Sequence, residues 1–233
     1  MNKIFAVLII AIILVCPTAL AASWGKYQAY EEIGIPANEL SSTGITWHPL
    51  SKPYDTSNLL IGIQPVNIVF NSTAVEKKFV IELAGADTGY HLDLAFYDTG
   101  VIDIVETTPS GATKLADTLS SGIKWQNLDF IIVSINGSTV KIEASNGTVL
   151  AIVTWNTVPT AIEQIGASGG DKAVESGTVY VAILYDPYTE LTRTTTETIY
   201  AFMPLLITMI ALGLVLVFFK TIMKTFQKIL DKL

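Results

Sequence analysis

Between Leu59 and Tyr185 the apolar residues fall repeatedly on every second position. Tyr90, Leu92, Leu94 and Phe96 take one face of a strand and His91, Asp93 and Tyr97 the other, and Val140 and Ile142 oppose Thr139, Lys141 and Glu143. A period of two marks strands with one buried and one wet face. Runs of this kind, rich in β-branched and aromatic residues, predict strands over Leu59–Phe70, Lys77–Leu83, Tyr90–Tyr97, Val101–Thr107, Leu128–Ile135, Ser138–Ala144, Thr148–Trp155 and Thr178–Tyr185. The pairs Asn136-Gly137 and Asn146-Gly147 separate three of them and suit type I′ turns, in which both central residues take positive φ. Residues 128–155 therefore predict a three-strand meander. No convincing amphipathic helix precedes residue 199, so the middle of the chain is expected to be an all-β, antiparallel sandwich.

Residues 22–58 read as irregular, with loops and a short strand or two, because Pro36, Pro49, Pro53 and the run Ser41-Ser42-Thr43-Gly44 punctuate them. Trp24, Tyr27, Tyr30 and Trp47 are expected to cover the edge of a sheet, since aromatic side chains serve burial first.

The two ends of the chain carry apolar runs of a different kind. Ile199–Phe219 has no charge over 21 residues, and at about 1.5 Å per residue such a helix is about 30 Å long, the thickness of a bilayer's hydrocarbon core. The run predicts one C-terminal transmembrane helix, with Pro204 early in it where a kink is tolerated. At the other end, Lys3 precedes the apolar run Ile4–Cys16, Pro17 and the small-x-small triplet Ala19-Leu20-Ala21, the order of a secretory signal peptide cleaved after Ala21. A retained N-terminal anchor is the alternative. The expected organisation is a signal peptide over 1–21, an extracellular β-sandwich over 22–186, a Thr-rich stalk over 187–198, the span over 199–219 and a tail over 220–233.

Charge orients this arrangement. The tail carries Lys220, Lys224, Lys228 and Lys232 against the single acid Asp231, and an excess of Lys beside a span marks the cytoplasmic side. Residues 22–198 hold nine Lys and Arg against twenty Asp and Glu, so the acidic domain is expected outside, as in a single-pass type I protein of a cell surface or viral envelope. Nothing basic there invites nucleic acid. On a helix, Ile222, Met223, Phe226, Ile229, Leu230 and Leu233 share one side of the tail and the four lysines the other. That basic amphipathic pattern suits contact with the anionic inner leaflet, and equally packing between copies in a homo-oligomer. The only cysteine, Cys16, lies in the leader, so the mature chain has no disulfide and its stability must come from packing.

The succession FIIVSINGSTVKIEASNGTVLAIVTW at 130–155 resembles the central hairpins of laminin G-like and concanavalin A-like jelly-roll domains. IGASGG at 165–170, followed by GTVYVAILYDPYTELT at 177–192, resembles their closing strand. The resemblance covers roughly 59–191 and implies a jelly-roll sandwich. It implies little about function, because such sandwiches host lectins, hydrolases, adhesion modules and virion proteins.

Three acceptor triplets for N-glycosylation, beginning at Asn71, Asn136 and Asn146, fall on predicted turns. Val101-Ile102-Asp103-Ile104-Val105-Glu106 resembles the catalytic strand of laminarinase-type glycoside hydrolases, which implies Asp103 as the assisting carboxylate and Glu106 as the general acid. Val101, however, stands where that family has its nucleophilic glutamate, and retaining hydrolysis needs both carboxylates. Asp87, Asp93, Asp98 and Asp103 with His91 form the densest acidic cluster, but their spacing fits no calcium loop. No Gly-x-Ser-x-Gly elbow, His-Glu-x-x-His motif or phosphate loop is present. The expectation is a membrane-anchored surface glycoprotein that is no enzyme and needs no metal or other cofactor. Its partners would be the lipid bilayer and glycans or a surface protein. The alternatives are a structural envelope or coat protein packing in many copies and, further off, a membrane-tethered glycoside hydrolase.

Overall fold

The computed structural model describes residues 23–187 and, further on, residues 202–204, 208–209, 212, 215, 218–220 and 222–224. The expected leader, the expected stalk after residue 187, most of the apolar run 199–219, and Lys228 and Lys232 lie outside the described residues. The chain divides into two units, one ending at Tyr185 and one beginning at Asp186.

The first unit is a sandwich of two six-stranded antiparallel sheets. In spatial order the first sheet contains β1 (Gln28–Pro36), β12 (Val174–Tyr185), β3 (Leu59–Phe70), β8 (Ile131–Asn136), β9 (Thr139–Ala144) and β10 (Val149–Thr154). The second contains β2 (Thr46–Asp55), β11 (Ala161–Gly169), β4 (Lys78–Ala84), β5 (His91–Tyr97), β6 (Ile102–Thr108) and β7 (Gly111–Asp117). A single short helix, α1 (Ala37–Leu40), links β1 to β2. β1 pairs with β12 in one sheet while β2 pairs with β11 in the other, the nested pairing of a rolled-up hairpin. The expectation of an antiparallel jelly-roll sandwich thus holds for this unit.

The core lies between the sheets. Ile61 and Ile63 of β3, Val133 and Ile135 of β8 and Val181 and Ile183 of β12 face Phe79, Ile81 and Leu83 of β4, Leu92, Leu94 and Phe96 of β5 and Ile102 and Ile104 of β6. The Phe79 and Phe96 rings stack with centroids 4.7 Å apart, and Trp125 meets both edge-on at 5.6 and 5.8 Å. The Trp125 indole N–H donates to the Tyr97 carbonyl at 2.8 Å, which satisfies the one polar atom of this aromatic cluster. A smaller cluster on the outer face of the first sheet joins Trp24, Phe130, Ile132, Ala182 and Leu184.

Several expectations change. β1 and β2 run for nine and ten residues where loops and a short strand or two are expected. β7 lies outside the predicted runs, as does β11 apart from the Ile165–Gly170 motif assigned to a closing strand. β1, β2 and β7 are edge strands. Pro49 and Pro53 sit within β2, where a missing N–H costs no ladder bond on the open side. The turns are not type I′, because neither Asn136 nor Asn146 has positive φ. Asn136 is the last paired residue of β8, opposite Thr139, and Gly137 with Ser138 forms the loop, with Gly137 alone at φ 56°. The second loop spans residues 145–147, with a Gly147 N–H to Ala144 carbonyl bond of 2.8 Å and Gly147 at φ 85°, as in a three-residue hairpin ending on a left-handed glycine. The meander itself is present.

In the second unit every described position from 202 to 224 is helical, Lys220 and Lys224 among them. The Thr208 hydroxyl donates to the Pro204 carbonyl at 2.8 Å, one helical turn back. Among the described residues no helix is long and apolar enough to cross a membrane.

Candidate functional site

Glu82, Asp93, His91 and Thr107 come from three neighbouring strands, and their side chains share the outer face of the second sheet. In the β4–β5 register Glu82 lies directly opposite Asp93, and in the β5–β6 register His91 lies opposite Thr107. β11 adds Gly166 opposite Glu82, and β2 adds Trp47 opposite Gly166. Alternation predicts that this face is wet, yet Glu82 is only 2% exposed and His91 7%.

Gly166 explains how an acid comes to be buried there. A Cβ at that position would lie 2.7 Å from the Trp47 ring and 2.9 Å from Glu82 Oε2. Only glycine lets the Trp47 ring close over the Glu82 carboxyl. The Ser168 hydroxyl donates to Glu82 Oε1, while Oε2 is buried without a hydrogen-bond partner. Burial, with the nearby Asp93 charge adding to it, pushes the Glu82 carboxyl up to about 8 although the Ser168 bond opposes the rise.

Burial likewise raises Asp93, with the Thr107 hydroxyl bond and His91 acting against it. Thr107 donates to Asp93 Oδ2 at 2.7 Å. His91 Nδ1 lies 2.8 Å from the Thr88 carbonyl, which can only accept, so Nδ1 carries a hydrogen. Its Nε2 sits 3.2 Å from Asp93 Oδ1. That contact is too poorly aligned to be a hydrogen bond, and Asp93 Oδ1 remains unsatisfied. The Trp47 ring meets His91 edge-on at 5.7 Å. The result is a half-buried indole over a buried Glu82 carboxyl, with His91 and Asp93 on the neighbouring strands.

The other acidic residues do not join this group. Asp87 lies in the loop before β5, where its Oδ1 accepts the Gly89 N–H at 2.9 Å. Asp98 follows the far end of β5, 4.0 Å from the Lys77 amine. Asp103 and Asp117 face each other across β6 and β7, and Lys114 bridges them at 2.9 Å to each. Those two carboxylates push the Lys114 amine up to about 12. Among the described residues no three His, Asp or Glu side chains converge as a metal site.

Asp103 and Glu106 are three residues apart on a continuous β5–β6 ladder, so they point to opposite faces. Glu106 turns inward with Ile102 and Ile104 and accepts the Thr157 N–H at 2.7 Å and the Asn156 amide at 3.0 Å. Burial alone would raise its carboxyl, but these bonds outweigh burial and hold it below the ordinary carboxylate range. The assisting carboxylate and the general acid implied by the laminarinase-type resemblance therefore do not share one face. Glu106→Ala should cost about 1–3 kcal/mol in urea unfolding at pH 7, because the part-buried Thr157 N–H and the Asn156 amide lose a charged acceptor. The loss should shrink as pH falls through the depressed folded-state pKa, since that contribution exists only above the unfolded value. Asp103→Asn, which touches an exposed ion pair, should cost less than about 1 kcal/mol.

The three acceptor asparagines are separated. Asn71 opens the loop after β3, its Oδ1 accepting the Thr73 N–H at 2.9 Å and hydroxyl at 2.8 Å. Asn136 ends β8, and Asn146 lies in the β9–β10 turn with its Oδ1 accepting the Thr148 N–H at 3.0 Å. Sequence reasoning singles out His91 and Asp93 but not Glu82, Ser168 or Thr107, and it places Trp47 at a sheet edge. One legible signal is the lone glutamate inside the apolar run FVIELA.

No family model matches the chain, and no curated protein matches it. Solved structures do resemble it at low identity. Chicken galectin 2 is 14% identical with a TM-score of 0.37, over 58% of this chain and 99% of the galectin. The carbohydrate-binding module CBM66 from Bacillus subtilis is 9% identical with a TM-score of 0.41, over 68% of this chain and 93% of the module. A fructofuranosidase from Schwanniomyces occidentalis, complexed with fructosylnystose, is 11% identical with a TM-score of 0.45, over 73% of this chain. The match spans 35% of that enzyme's length, and each likeness is one of β-sandwich architecture alone.

Proposed function

We propose that this chain is a single-pass surface protein, its acidic sandwich outside the membrane, that recognises carbohydrate through the outer face of the second sheet. The observation that carries the recognition is the half-buried Trp47 indole on that outer face, edge-on to His91 at 5.7 Å and packed over the Glu82 carboxyl. A pyranose offers the complementary chemistry, an apolar C–H face for the indole and hydroxyls for the polar side chains around it. An acidic face repels carboxylated and sulfated sugars, so the ligands are neutral or amino sugars.

Anchoring rests on the charge-free run Ile199–Phe219 and the lysines Lys220, Lys224, Lys228 and Lys232 behind it. The topology is consistent with tethered display. Gln28, near the start of the sandwich, pairs with Tyr185, its last residue, and the Tyr185 hydroxyl donates to Gln28 Oε1 at 2.5 Å. Both ends of the sandwich therefore meet at one pole of the first sheet, and neither belongs to the second sheet. Val101 at the position of the nucleophilic glutamate in the laminarinase-type pattern supports recognition over hydrolysis.

A glycan array probed with the full chain in detergent tests the reading. Binding confined to neutral or amino sugars is expected. A blank array, or binding to sulfated and sialylated glycans only, overturns it.

A further inference from the structure

We propose that the groove beside Asn146, on the outer face of the first sheet, seats the first sugars of a glycan carried by Asn146 itself. The inference rests on the export reading above, since only an exported chain meets the glycosylation machinery. It concerns a different face from the proposed recognition site.

The groove has a volume of about 610 Å³, within the range of roughly 300–1,000 Å³ that holds small ligands. One wall is the chain before β1, with Lys26 and Tyr27, and the other is the β9–β10 turn with Asn146. Phe130 forms an apolar floor, and Asp129 and Glu143 supply carboxylates at the sides. Tyr27 is half-buried, packed against the Trp24–Phe130 cluster, so its ring is held in place as a wall. The Lys26 amine lies 5.0 Å from the Tyr27 ring centre and Lys141 pairs with Glu143 at 3.0 Å, so the lining combines an ordered ring with amine donors and carboxylate acceptors, partners for a sugar's C–H groups and hydroxyls.

Asn146 is exposed at the rim. Its Oδ1 is held by the Thr148 N–H at 3.0 Å, so Nδ2 is the arm of the amide not tied to the turn. Nδ2 is the atom that N-glycosylation modifies. In that step Nδ2 attacks the anomeric carbon of a lipid-pyrophosphate-linked oligosaccharide. The N–C bond forms as the C–O bond to pyrophosphate breaks, the lipid pyrophosphate leaves with the bonding pair, and the amide loses one proton to base. The attached sugar then begins at the groove's edge and needs no further search to enter it, an intramolecular association with a high effective concentration. Asn136 provides the internal comparison, because it ends β8 at a two-residue hairpin loop and lines none of the described grooves.

The test is site-resolved deglycosylation of the native full chain, made through the secretory route of a glycosylating eukaryotic host. Peptide-N-glycosidase is added, and release at Asn146 and Asn136 is followed by peptide mass spectrometry. Release at Asn146 should be at least tenfold slower than at Asn136, and the difference should vanish after denaturation. Tyr27→Ala should bring the two rates together, with Glu143→Gln as a milder variant should Tyr27→Ala not fold. Equal native rates overturn the inference, as does an unmodified Asn146 in a chain glycosylated at Asn136. A chain glycosylated nowhere, yet open to protease outside the cell, overturns the inference alone. The same blank on a chain kept inside overturns the export reading with it.

Discussion

Replacing Glu82 with glutamine should stabilise the sandwich at neutral and alkaline pH and flatten the pH dependence of its unfolding. In the folded protein the carboxyl keeps its proton up to about 8, whereas in the unfolded chain it releases it near the ordinary 4.5. Between those values the folded state binds more protons than the unfolded state, so stability falls as pH rises. The contribution is fully present below 4.5 and is lost across the window up to about 8. Glutamine carries no charge to desolvate and keeps an oxygen for the Ser168 hydroxyl. Its amide N–H₂ takes the unpartnered Oε2 position and offsets part of the gain, leaving on the order of 2 kcal/mol at pH 8.5. Asp93 is raised by the same burial and shifts stability in the same direction, so the comparison is made between the two proteins and not along one curve. Urea midpoints at pH 4.5, 6.5 and 8.5 provide it. Curves for the parent protein and Glu82→Gln that stay parallel across all three pH values would mean that the carboxyl is not held protonated.

Phe79→Ala should bring the largest loss of stability, about 3–5 kcal/mol. The Phe79 ring is wholly buried and lies at the centre of an aromatic cluster, stacked on Phe96 at 4.7 Å, 6.2 Å from Phe70 and 5.6 Å from Trp125. Truncation leaves a cavity lined by rings that β4, β5 and the 3-10 turn Trp125–Asn127 hold in fixed positions, so little of it can collapse. Cys16 is the only cysteine in the sequence, so no disulfide within the chain compensates. Chemical denaturation of this protein and of Val75→Ala gives the contrast, because Val75 is fully exposed and its truncation should change stability by less than about 0.5 kcal/mol. A loss at Phe79 no larger than at Val75 would place the core elsewhere.

Much of the fold is legible in the chain because it rests on local alternation. β3 spans the predicted Leu59–Phe70, and β5, β6, β9 and β10 fall within a residue or so of expectation. β1 and β2 are hidden by Pro36, Pro49 and Pro53, which break a pattern although an edge strand tolerates them. The turn type is not legible because Asn-Gly can place glycine at different positions of a hairpin, and register decides which. His91 and Asp93 stand out as charged residues in a strand. Their burial does not, because it depends on Trp47, Gly166 and Ser168 arriving through the pairing of β2, β11 and β4. The Ser168–Glu82 bond joins residues 86 positions apart, beyond the reach of any local pattern.

Carbohydrate recognition at Trp47 is the central claim, and affinity for the sugar found on the array tests it most directly. The full chain and its Trp47→Ala variant are titrated with that sugar side by side, with Ile152→Ala, an exposed side chain on β10 of the first sheet, as the control. Loss of the indole should weaken binding at least tenfold, about 1.4 kcal/mol, while Ile152→Ala leaves it unchanged. Unchanged affinity in Trp47→Ala would contradict the account and place the site away from the outer face of the second sheet.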